Sequence, residues 1–327
     1  MAIKELSIEN FTIFSDFKIE FCNGVNLLIG ENGVGKTQLL KSLYLSSISQ
    51  KRHIDENTAN GKLIMEVPAS IIHSSLSSVY DLEYEYLSEH FASARFSSRH
   101  EGLSYPPTVF IPAKEMLSHA KGLLSMKKKY GVNMPFDISL LDIIEKAQAW
   151  RLSKTPELAR NMAPSLERTM GGVVEMKDDG SFWMKKTSGV EIPFSMEADG
   201  LKRLGLIWQL LMNEGITKDS VILWDEPEAS INPEITPVLV NTLLELQRNG
   251  VQIIAATHNY NFARYFDILR NESDSISYYS LYKPGDGFTG VSQADSFNEL
   301  HPNPIDIAGE RLYCDVIQKS IRELYTP

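Results

Sequence analysis

The sequence predicts an α/β fold with a largely parallel sheet at its centre. Three short runs are apolar almost throughout, as strands buried on both faces are: VNLLIG from position 25, VILWD from position 221 and VQIIAAT from position 251. Segments with helical spacing of apolar residues lie between them along the chain. Strands that alternate with helices require crossover connections, and this order favours a parallel core.

The composition is that of a globular protein. The 327 residues include 32 basic and 42 acidic side chains, a formal charge of −10, and 43% are hydrophobic. These values exclude disordered, collagen-like and disulfide-scaffold classes. No apolar run approaches the roughly 20 residues that span a bilayer, and MAIKELSIENF alternates apolar and polar residues unlike a signal peptide. We therefore expect a cytoplasmic protein without a membrane segment, in which the acidic balance disfavours a broad nucleic-acid-coating surface.

The first fifty residues predict two strands, a third buried strand and a helix. IKELSIENF (3–11) and FKIEF (17–21) alternate with the period of a strand, and Asn23-Gly24 is a turn signal before VNLLIG. The segment 37–48 follows a glycine-rich loop. It places four apolar residues on one helical face, namely Leu39, Leu40, Leu43 and Leu45. A strand, loop and helix in this order form a crossover unit.

A helical insertion is predicted in the middle of the chain. TVFIP (108–112) is typical of a buried strand, and the pattern from about 113 to 170 is helical, with breaks at Pro135, Pro156 and Pro164. Asp178-Asp179-Gly180 then predicts a hairpin between two strand-like runs. Residues 50–75 are polar and then become strand-like at KLIMEVP (62–68), whereas no element is assigned to 76–103 and no role to 50–105.

Three further helices are predicted in the second half of the chain. They cover 199–213, which is strongly apolar, 235–250, which Gly250 closes, and 308–324 near the C-terminus.

The loop after the third strand carries a phosphate-binding motif. GENGVGKT fits GxxxxGK[ST] in full and lies between a buried strand and a helix, which is the context that the motif requires. The predicted cofactor-binding residues here are Gly30, Glu31, Asn32, Gly33, Val34, Gly35, Lys36, Thr37 and Gln38. In this motif backbone N–H groups surround the phosphates, the lysine contacts the β- and γ-phosphates, and the Thr37 hydroxyl is predicted to bind Mg²⁺. A glycine-rich turn without a ligand is the alternative.

Two carboxylates end the strand at 221–225. Asp225 follows directly on the apolar run, where it is predicted to hold Mg²⁺ through water, and Glu226 is predicted to orient or deprotonate the attacking water. An ordinary strand that ends in a solvated acidic turn is the alternative interpretation.

With these residues the chain resembles the ABC-type ATPase heads of the SMC-like, RecF-like and OLD-type group. The resemblance rests on IENFTIFSDFKIEF, on GVNLLIGENGVGKT, on DEPE followed by SINP, and on AATH before position 259. It implies a P-loop NTPase with a mixed sheet core, ATP and Mg²⁺ as cofactors, and two heads that sandwich the nucleotide. We expect a single head over 1–327, with a nucleotide-binding lobe formed by 1–112 and 214–327.

The signature motif of that group is altered here. Its position reads EADGLKR, so that Ala198 stands where related proteins usually have serine. The resemblance still assigns cofactor binding from the opposite subunit to Asp199, Gly200 and Lys202, at a helix N-terminus that favours anions. A core helix with a basic first turn is the alternative.

The histidine after the last buried strand is the second predicted catalytic residue. His258 follows AAT, where the resemblance places a histidine that senses the γ-phosphate, although a lone histidine is more often structural. A glutamine that contacts Mg²⁺ is not found, because Lys114 and Glu115 occupy that region. Two lysine clusters, 127–129 and 185–186, fit either a nucleic-acid contact or a solvated face.

These features lead to one hypothesis and two alternatives. The first is an ATP-hydrolysing head that forms a homodimer around ATP and controls a separately encoded effector, a nuclease or toxin, in bacterial antiphage defence or a toxin–antitoxin module. The second is a RecF-like DNA-binding repair ATPase. The third is an ATP-gated scaffold with little turnover, which Ala198 favours.

Overall fold

The computed structural model describes residues 1–50, 62–63, 95–100, 105–130, 137–151, 153–285 and 287–325. Its strands are β1 (Ile3–Phe11), β2 (Phe14–Glu20), β3 (Val25–Gly30), β4 (Lys62–Leu63), β5 (Arg95–His100), β6 (Thr108–Ile111), β7 (Gly172–Met176), β8 (Phe182–Lys186), β9 (Glu191–Pro193), β10 (Val221–Asp225), β11 (Gln252–Thr257), β12 (Ile276–Tyr282) and β13 (Gly290–Ala294). Its α-helices are α1 (Lys36–Gln50), α2 (Leu123–Tyr130), α3 (Ile138–Ala147), α4 (Glu157–Met170), α5 (Asp199–Met212), α6 (Thr236–Arg248), α7 (Tyr260–Leu269) and α8 (Pro304–Tyr325).

The central sheet has the strand order β13-β12-β3-β11-β10-β6. Five strands run parallel, and only the edge strand β13 pairs antiparallel with its neighbour β12. The predicted α/β class with a mixed sheet is therefore confirmed. Every residue of β3, β10 and β11 is buried, which explains why their sequences read as continuous apolar runs.

Alternate residues of the central strands enter two separate apolar cores. Ile222 and Trp224 of β10 pack into a core shared with α3, α4, α5, α6 and α7. Val221 and Leu223 of the same strand pack into a second core, shared with α1, β1 and β2. The two-residue period of a strand therefore divides the molecule into two layers, one on each side of the sheet.

The second layer contains α1 and an antiparallel sheet of order β2-β1-β5-β4. The four leucines predicted for the face of α1 are all buried, which confirms that prediction. One buried amide links the two sheets, because the Gln252 side chain donates to the carbonyl of Ile3 at 2.8 Å and accepts from its N–H at 2.8 Å. This pair fixes the start of β1 against the start of β11.

The prediction that Pro164 breaks a helix is wrong. Helix α4 runs from Glu157 to Met170 through that proline. A proline inside a helix removes one backbone hydrogen bond, but the apolar face of α4 is buried against α5. Burial of that face keeps the helix continuous, whereas Pro156 does stand at its N-terminus. Pro135 and most of 50–105 lie outside the described residues.

The other predictions for the second half agree with the structure except after residue 258. The hairpin β7-β8 surrounds Gly180, and Gly250 follows α6 with a φ of 85°. Helix α7 and strands β12 and β13 were not predicted. Strand β12 reads ISYYSLY, and its two serines interrupt the apolar run even though both are buried.

The C-terminal helix α8 starts four residues earlier than predicted and presents many apolar side chains to solvent. These are Ile307, Leu312, Tyr313, Val316, Ile317 and Ile321. Among the helices of the described ranges, α8 included, we find none that is long and apolar enough to pass through a bilayer.

Candidate functional site

The predicted site residues of the phosphate loop, the acidic pair and His258 lie at one edge of the central sheet, where three parallel strands end. Strand register places Thr257 of β11 opposite Ile29 of β3, and Asp225 of β10 opposite Ala256 of β11. The phosphate loop, the acidic pair and His258 follow these positions directly. Parallel strands thus bring together three segments that are far apart in the sequence.

Glycines of the phosphate loop are required by both space and backbone conformation. A Cβ atom at position 30 would lie 2.5 Å from the carbonyl oxygen of Leu281, and one at position 35 would lie 2.7 Å from side-chain atoms of Ile13 and Phe14. Gly33 and Gly35 have φ values of 77° and 95°, which favour glycine. The loop crest, residues 31–33, is exposed to solvent.

Lys36 lies inside the loop rather than in solvent. Its ammonium donates to the carbonyl oxygens of Gly30 at 2.7 Å and Glu31 at 2.9 Å. Burial lowers the pKa of Lys36, and the carboxylates of Glu226 and Asp225 oppose that effect. The ammonium is therefore held by two main-chain carbonyls of its own loop.

Thr37 and Asp225 form the contact between the loop and the acidic strand. The Thr37 hydroxyl donates to Oδ2 of Asp225 at 2.9 Å. Burial raises the pKa of Asp225, while the Thr37 hydrogen bond and the nearby Lys36 lower it. Hydroxyl and carboxylate oxygens are donors that Mg²⁺ prefers, so the chemistry of this pair fits a Mg²⁺ site.

Glu226 and His258 form a partly exposed pair next to that contact. Nδ1 of His258 lies 3.1 Å from Oε1 of Glu226, and both side chains remain accessible to solvent. Glu226 has a φ of 47°, a left-handed conformation that is uncommon for a residue with a side chain. Its backbone N–H donates to the carbonyl of Ala256 at 2.9 Å, which supports the turn.

A buried carboxyl two residues further on has no role in the sequence-based prediction. Glu228 is 8% exposed and accepts a hydrogen bond from the hydroxyl of Thr257 at 2.5 Å. Burial raises the pKa of Glu228. The DEPE motif contains this residue, but its distance from Thr257 depends on sheet register and could not be read from the motif.

The N-terminus of α5 holds the altered signature residues. Ala198 precedes the helix as its N-cap and provides no side-chain hydrogen bond. Lys202 is buried, and its ammonium contacts Oδ1 of Asp199 at 2.9 Å. Gly200 is buried against Ile231 and Ile235. The Lys202 ammonium therefore pairs with a residue of its own helix. For Asp199, Gly200 and Lys202, contact with a nucleotide on a second subunit stays a prediction.

Arg203 connects α5 to two other segments. Its Nε donates to the carbonyl of Ala229 at 2.9 Å, and its Nη2 donates to the carbonyl of Ala113 at 2.7 Å. The side chain is buried, and burial lowers its pKa. The sequence shows a basic residue at this position. It does not show that both hydrogen-bond partners of Arg203 are backbone carbonyls.

Two hydroxyl groups next to the loop were also missed. The Thr289 hydroxyl donates to the carbonyl of Val34 at 3.0 Å, and the Thr12 hydroxyl donates to Oε1 of Gln38 at 2.7 Å. Thr289 precedes the unpredicted strand β13, so only the fold reveals it. Gln38 thus contacts the turn between β1 and β2.

A cavity of about 530 Å³ borders the exposed side of the loop. Helix α8, the end of β12 and the loop crest form its walls. Its lining includes Glu31, Asn32, Tyr282, Lys283 and Arg311. This volume lies within the range of small-molecule pockets.

Comparisons with known proteins agree with this arrangement. Residues 98–264 match the family described as "AAA domain, putative AbiEii toxin, Type IV TA system", and residues 1–89 match the family described as "AAA ATPase domain". The first match covers more than half of the chain.

Individual relatives match shorter parts of the chain. The DNA replication and repair protein RecF of Pediococcus pentosaceus is 29% identical over 146 residues, which are 42% of this chain and 37% of that protein. The DNA double-strand break repair Rad50 ATPase of Archaeoglobus fulgidus is 48% identical over 44 residues, 14% of this chain and 5% of that protein. The chain thus spans little more than a third of the first relative and a small part of the second.

Among solved structures, the SMC head domain from Thermotoga maritima has a TM-score of 0.46 at 14% identity, covering 90% of this chain and 99% of that one. From its family matches, its phosphate loop and its acidic strand end, the chain belongs to the family described as "AAA domain, putative AbiEii toxin, Type IV TA system" and is an ATPase, similar over part of its length to RecF.

Proposed function

We propose that this chain binds Mg·ATP at the edge of β3, β10 and β11, dimerises around the nucleotide and uses its ATP state to control a separately encoded effector. The observation that carries the proposal is the direct contact between the phosphate loop and the acidic strand. Thr37 and Asp225 meet at 2.9 Å, and Glu226 stands next to them with His258.

Phosphate binding is assigned to the backbone of residues 30–35 and to Lys36. The loop carries N–H groups on a crest that precedes a helix N-terminus, where anions are favoured. Lys36 already contacts two carbonyls of the loop, so a phosphate would replace these contacts with charge-assisted ones. Gln38, held by Thr12, supports the first turn of α1.

Metal binding is assigned to Thr37 and Asp225. A hydroxyl and a carboxylate oxygen that already meet supply the hard donors that Mg²⁺ prefers, with Asp225 acting through water. When bound, Mg²⁺ neutralises charge that develops on the phosphoryl oxygens.

Proton transfer is assigned to Glu226 and the sensing of phosphate to His258. The Glu226 carboxylate is accessible and accepts a proton from a water molecule that attacks the γ-phosphate. His258 lies within hydrogen-bonding reach of that carboxylate. It orients Glu226 before ATP binds and donates to the phosphate afterwards.

Dimerisation is proposed from the exposed start of α5. Ala198 and Asp199 are exposed at the N-terminus of this helix, which directs its free N–H groups outward. In the proposed sandwich these groups, with Gly200 and Lys202, face the γ-phosphate on the other subunit. Without the usual serine hydroxyl this contact is weak, and we expect slow turnover.

Effector control in bacterial defence is the finer part of the proposal. Its support is the family description, which names a putative toxin of a type IV toxin–antitoxin system. The effector that we propose is a nuclease or toxin encoded as a separate chain.

The test is the variant Glu226→Gln, purified with Mg·ATP. It retains the binding residues and loses the base, so we expect twice the monomer mass by light scattering and a defined protein that co-purifies from native cells. Lys36→Met is the matched control and should remain monomeric. If Glu226→Gln stays monomeric at saturating ATP, the sandwich model is wrong.

A RecF-like DNA-binding function is the second candidate, favoured by the similarity to RecF. Lys128 and Lys129 are exposed on α2, whereas Lys127 pairs with Glu145 at 2.7 Å. We expect salt-dependent DNA affinity to fall in Lys128→Glu/Lys129→Glu and to persist in a control with Lys154→Glu and Lys218→Glu. The absence of binding at low salt would exclude this candidate.

An ATP-gated scaffold is the remaining alternative, favoured by Ala198. Single-turnover kinetics with excess protein distinguish it from the first proposal. A scaffold binds ATP without measurable cleavage during the lifetime of the complex.

A further inference from the structure

Two segments that carry the proposed catalytic pair are joined by a second, buried contact. Glu226 begins the turn after β10, and His258 follows β11. Two residues beyond Glu226, the Glu228 carboxyl accepts from Thr257, the residue directly before His258, at 2.5 Å. Thr257 is fully buried and Glu228 nearly so, whereas Glu226 and His258 are partly exposed.

The Thr257 hydroxyl is fixed from two sides. It donates to Oε1 of Glu228 and accepts from the backbone N–H of Asn259 at 3.0 Å. Asn259 in turn caps α7, since its side chain accepts from the N–H of Phe262. This hydroxyl therefore ties the Glu228 carboxyl to the peptide unit that directly follows His258.

The other side of the contact is anchored as well. The Glu228 carbonyl accepts from the N–H of Ile231, and the next residue, Ala229, gives its carbonyl to Arg203. Arg203 belongs to α5, the helix that carries the altered signature residues. Glu228 thus stands between α5 and the histidine strand.

The second carboxyl oxygen of Glu228 is buried and has no hydrogen-bond partner in the part of the chain that the structure describes. A buried carboxylate with an unsatisfied oxygen is unfavourable, and a protonated carboxyl relieves that cost. Burial raises the pKa of Glu228, and the Thr257 hydrogen bond is the largest influence that opposes it; His258 also lowers this pKa, and Glu226 raises it. Lys36 and Arg203 are the other charged groups whose fields reach Glu228.

We propose that Glu228 is a positioning residue for ATP hydrolysis, which holds His258 in place through the Thr257 hydroxyl. The inference rests on the proposed role of His258. When nucleotide binds, Glu226 and His258, the exposed pair, change their hydrogen-bond partners. During this change the buried pair, Glu228 and Thr257, keeps both segments in register.

Four variants form a matched set. Thr257→Val has nearly the same shape and removes the hydroxyl, whereas Thr257→Ser keeps it. Glu228→Leu removes the acceptor, whereas Glu228→Gln keeps an acceptor oxygen and is neutral like the protonated carboxyl. We expect kcat to fall roughly 10- to 100-fold in Thr257→Val and Glu228→Leu, with ATP affinity unchanged, and to stay within about twofold in the two conservative variants.

Two further measurements distinguish a positioning role from a general structural defect. Combined with His258→Ala, Thr257→Val should cause no additional loss of kcat, because it acts through the absent ring. The ring resonances of His258 in nuclear magnetic resonance spectra, identified by their loss in His258→Ala, should shift in Thr257→Val and Glu228→Leu and remain in place in Glu228→Gln.

The outcomes are separable. Additive losses in the double variant, unchanged His258 resonances, or full activity of a folded Thr257→Val would each overturn the inference. If His258→Ala hydrolyses ATP like the wild type, the proposed role of His258 is wrong, and the inference is overturned with it. A slow His258→Ala with a normal Thr257→Val would overturn the inference alone.

Discussion

On the β3 side of the candidate site, main-chain groups of residues 30–35 form the surface offered to phosphates. On the side of β10 and β11, that surface consists of the side chains of Asp225, Glu226 and His258. Backbone groups depend on glycines that leave space, as at Gly30 and Gly35, and on a helix that starts behind them. Side-chain groups depend on individual carboxyls and their partners. The comparison teaches that nucleotide binding and turnover should respond to different substitutions.

The largest effect is expected from a substitution of Glu226, which should change turnover without changing nucleotide binding. In Glu226→Gln we expect kcat for ATP hydrolysis to fall by about 10²- to 10⁴-fold, because the base is lost, while Kd for ATP changes little. Initial-rate assays and titration of a fluorescent ATP analogue measure the two quantities. Glu234→Gln, which removes the charge of an exposed carboxylate nearby, is the control and should match the wild type. A comparable loss of affinity in Glu226→Gln would mean that the two sides are not separate.

A smaller effect, on binding, is expected from the loop side. Lys36→Met removes charge-assisted hydrogen bonds to phosphate, each about 1.5–3 kcal/mol, so Kd for ATP should rise roughly 10- to 150-fold. Isothermal titration with Mg·ATP measures this change. Lys154→Met, at an exposed position, controls for the loss of a positive charge. Retained affinity in Lys36→Met would show that the loop backbone binds phosphate without the ammonium.

The smallest effect is expected at the start of α5, which belongs to neither of the two sides of the site. Ala198→Ser restores the hydroxyl usual in related proteins and also supplies a better N-cap. We expect turnover to rise by a few fold, up to about tenfold, and only at protein concentrations at which dimers form. Ala149→Ser is an exposed control. An equal gain in dilute monomer would assign the effect to helix stability rather than to the second subunit.

The same comparison explains what the sequence could predict. The loop residues form one continuous stretch of sequence, and Asp225 and Glu226 form another. Each stretch comes directly at the end of a buried strand, so the motifs and their place in the fold could be predicted together. The contacts of Arg203 could not, because its partners, Ala113 and Ala229, lie on segments that only the sheet order brings near α5. Thr289 could not be identified either, because it directly precedes β13, a strand that the sequence analysis did not predict. Pro164 shows the opposite error. The local rule that a proline ends a helix failed there, because burial of its apolar face keeps α4 continuous.

Strand order has a consequence for how the protein is made. Strand β3, which presents the phosphate loop, lies between β11 and β12, and both are synthesised long after it. Because β11 begins at Gln252 and β12 ends at Tyr282, β3 has neither of its sheet neighbours until the ribosome has passed those positions. The apolar segment VNLLIG therefore lacks its strand partners while more than two hundred later residues are synthesised, and an unpaired apolar strand of this kind is prone to aggregation. The two sides of the candidate site can meet only after β10 and β11 have been made.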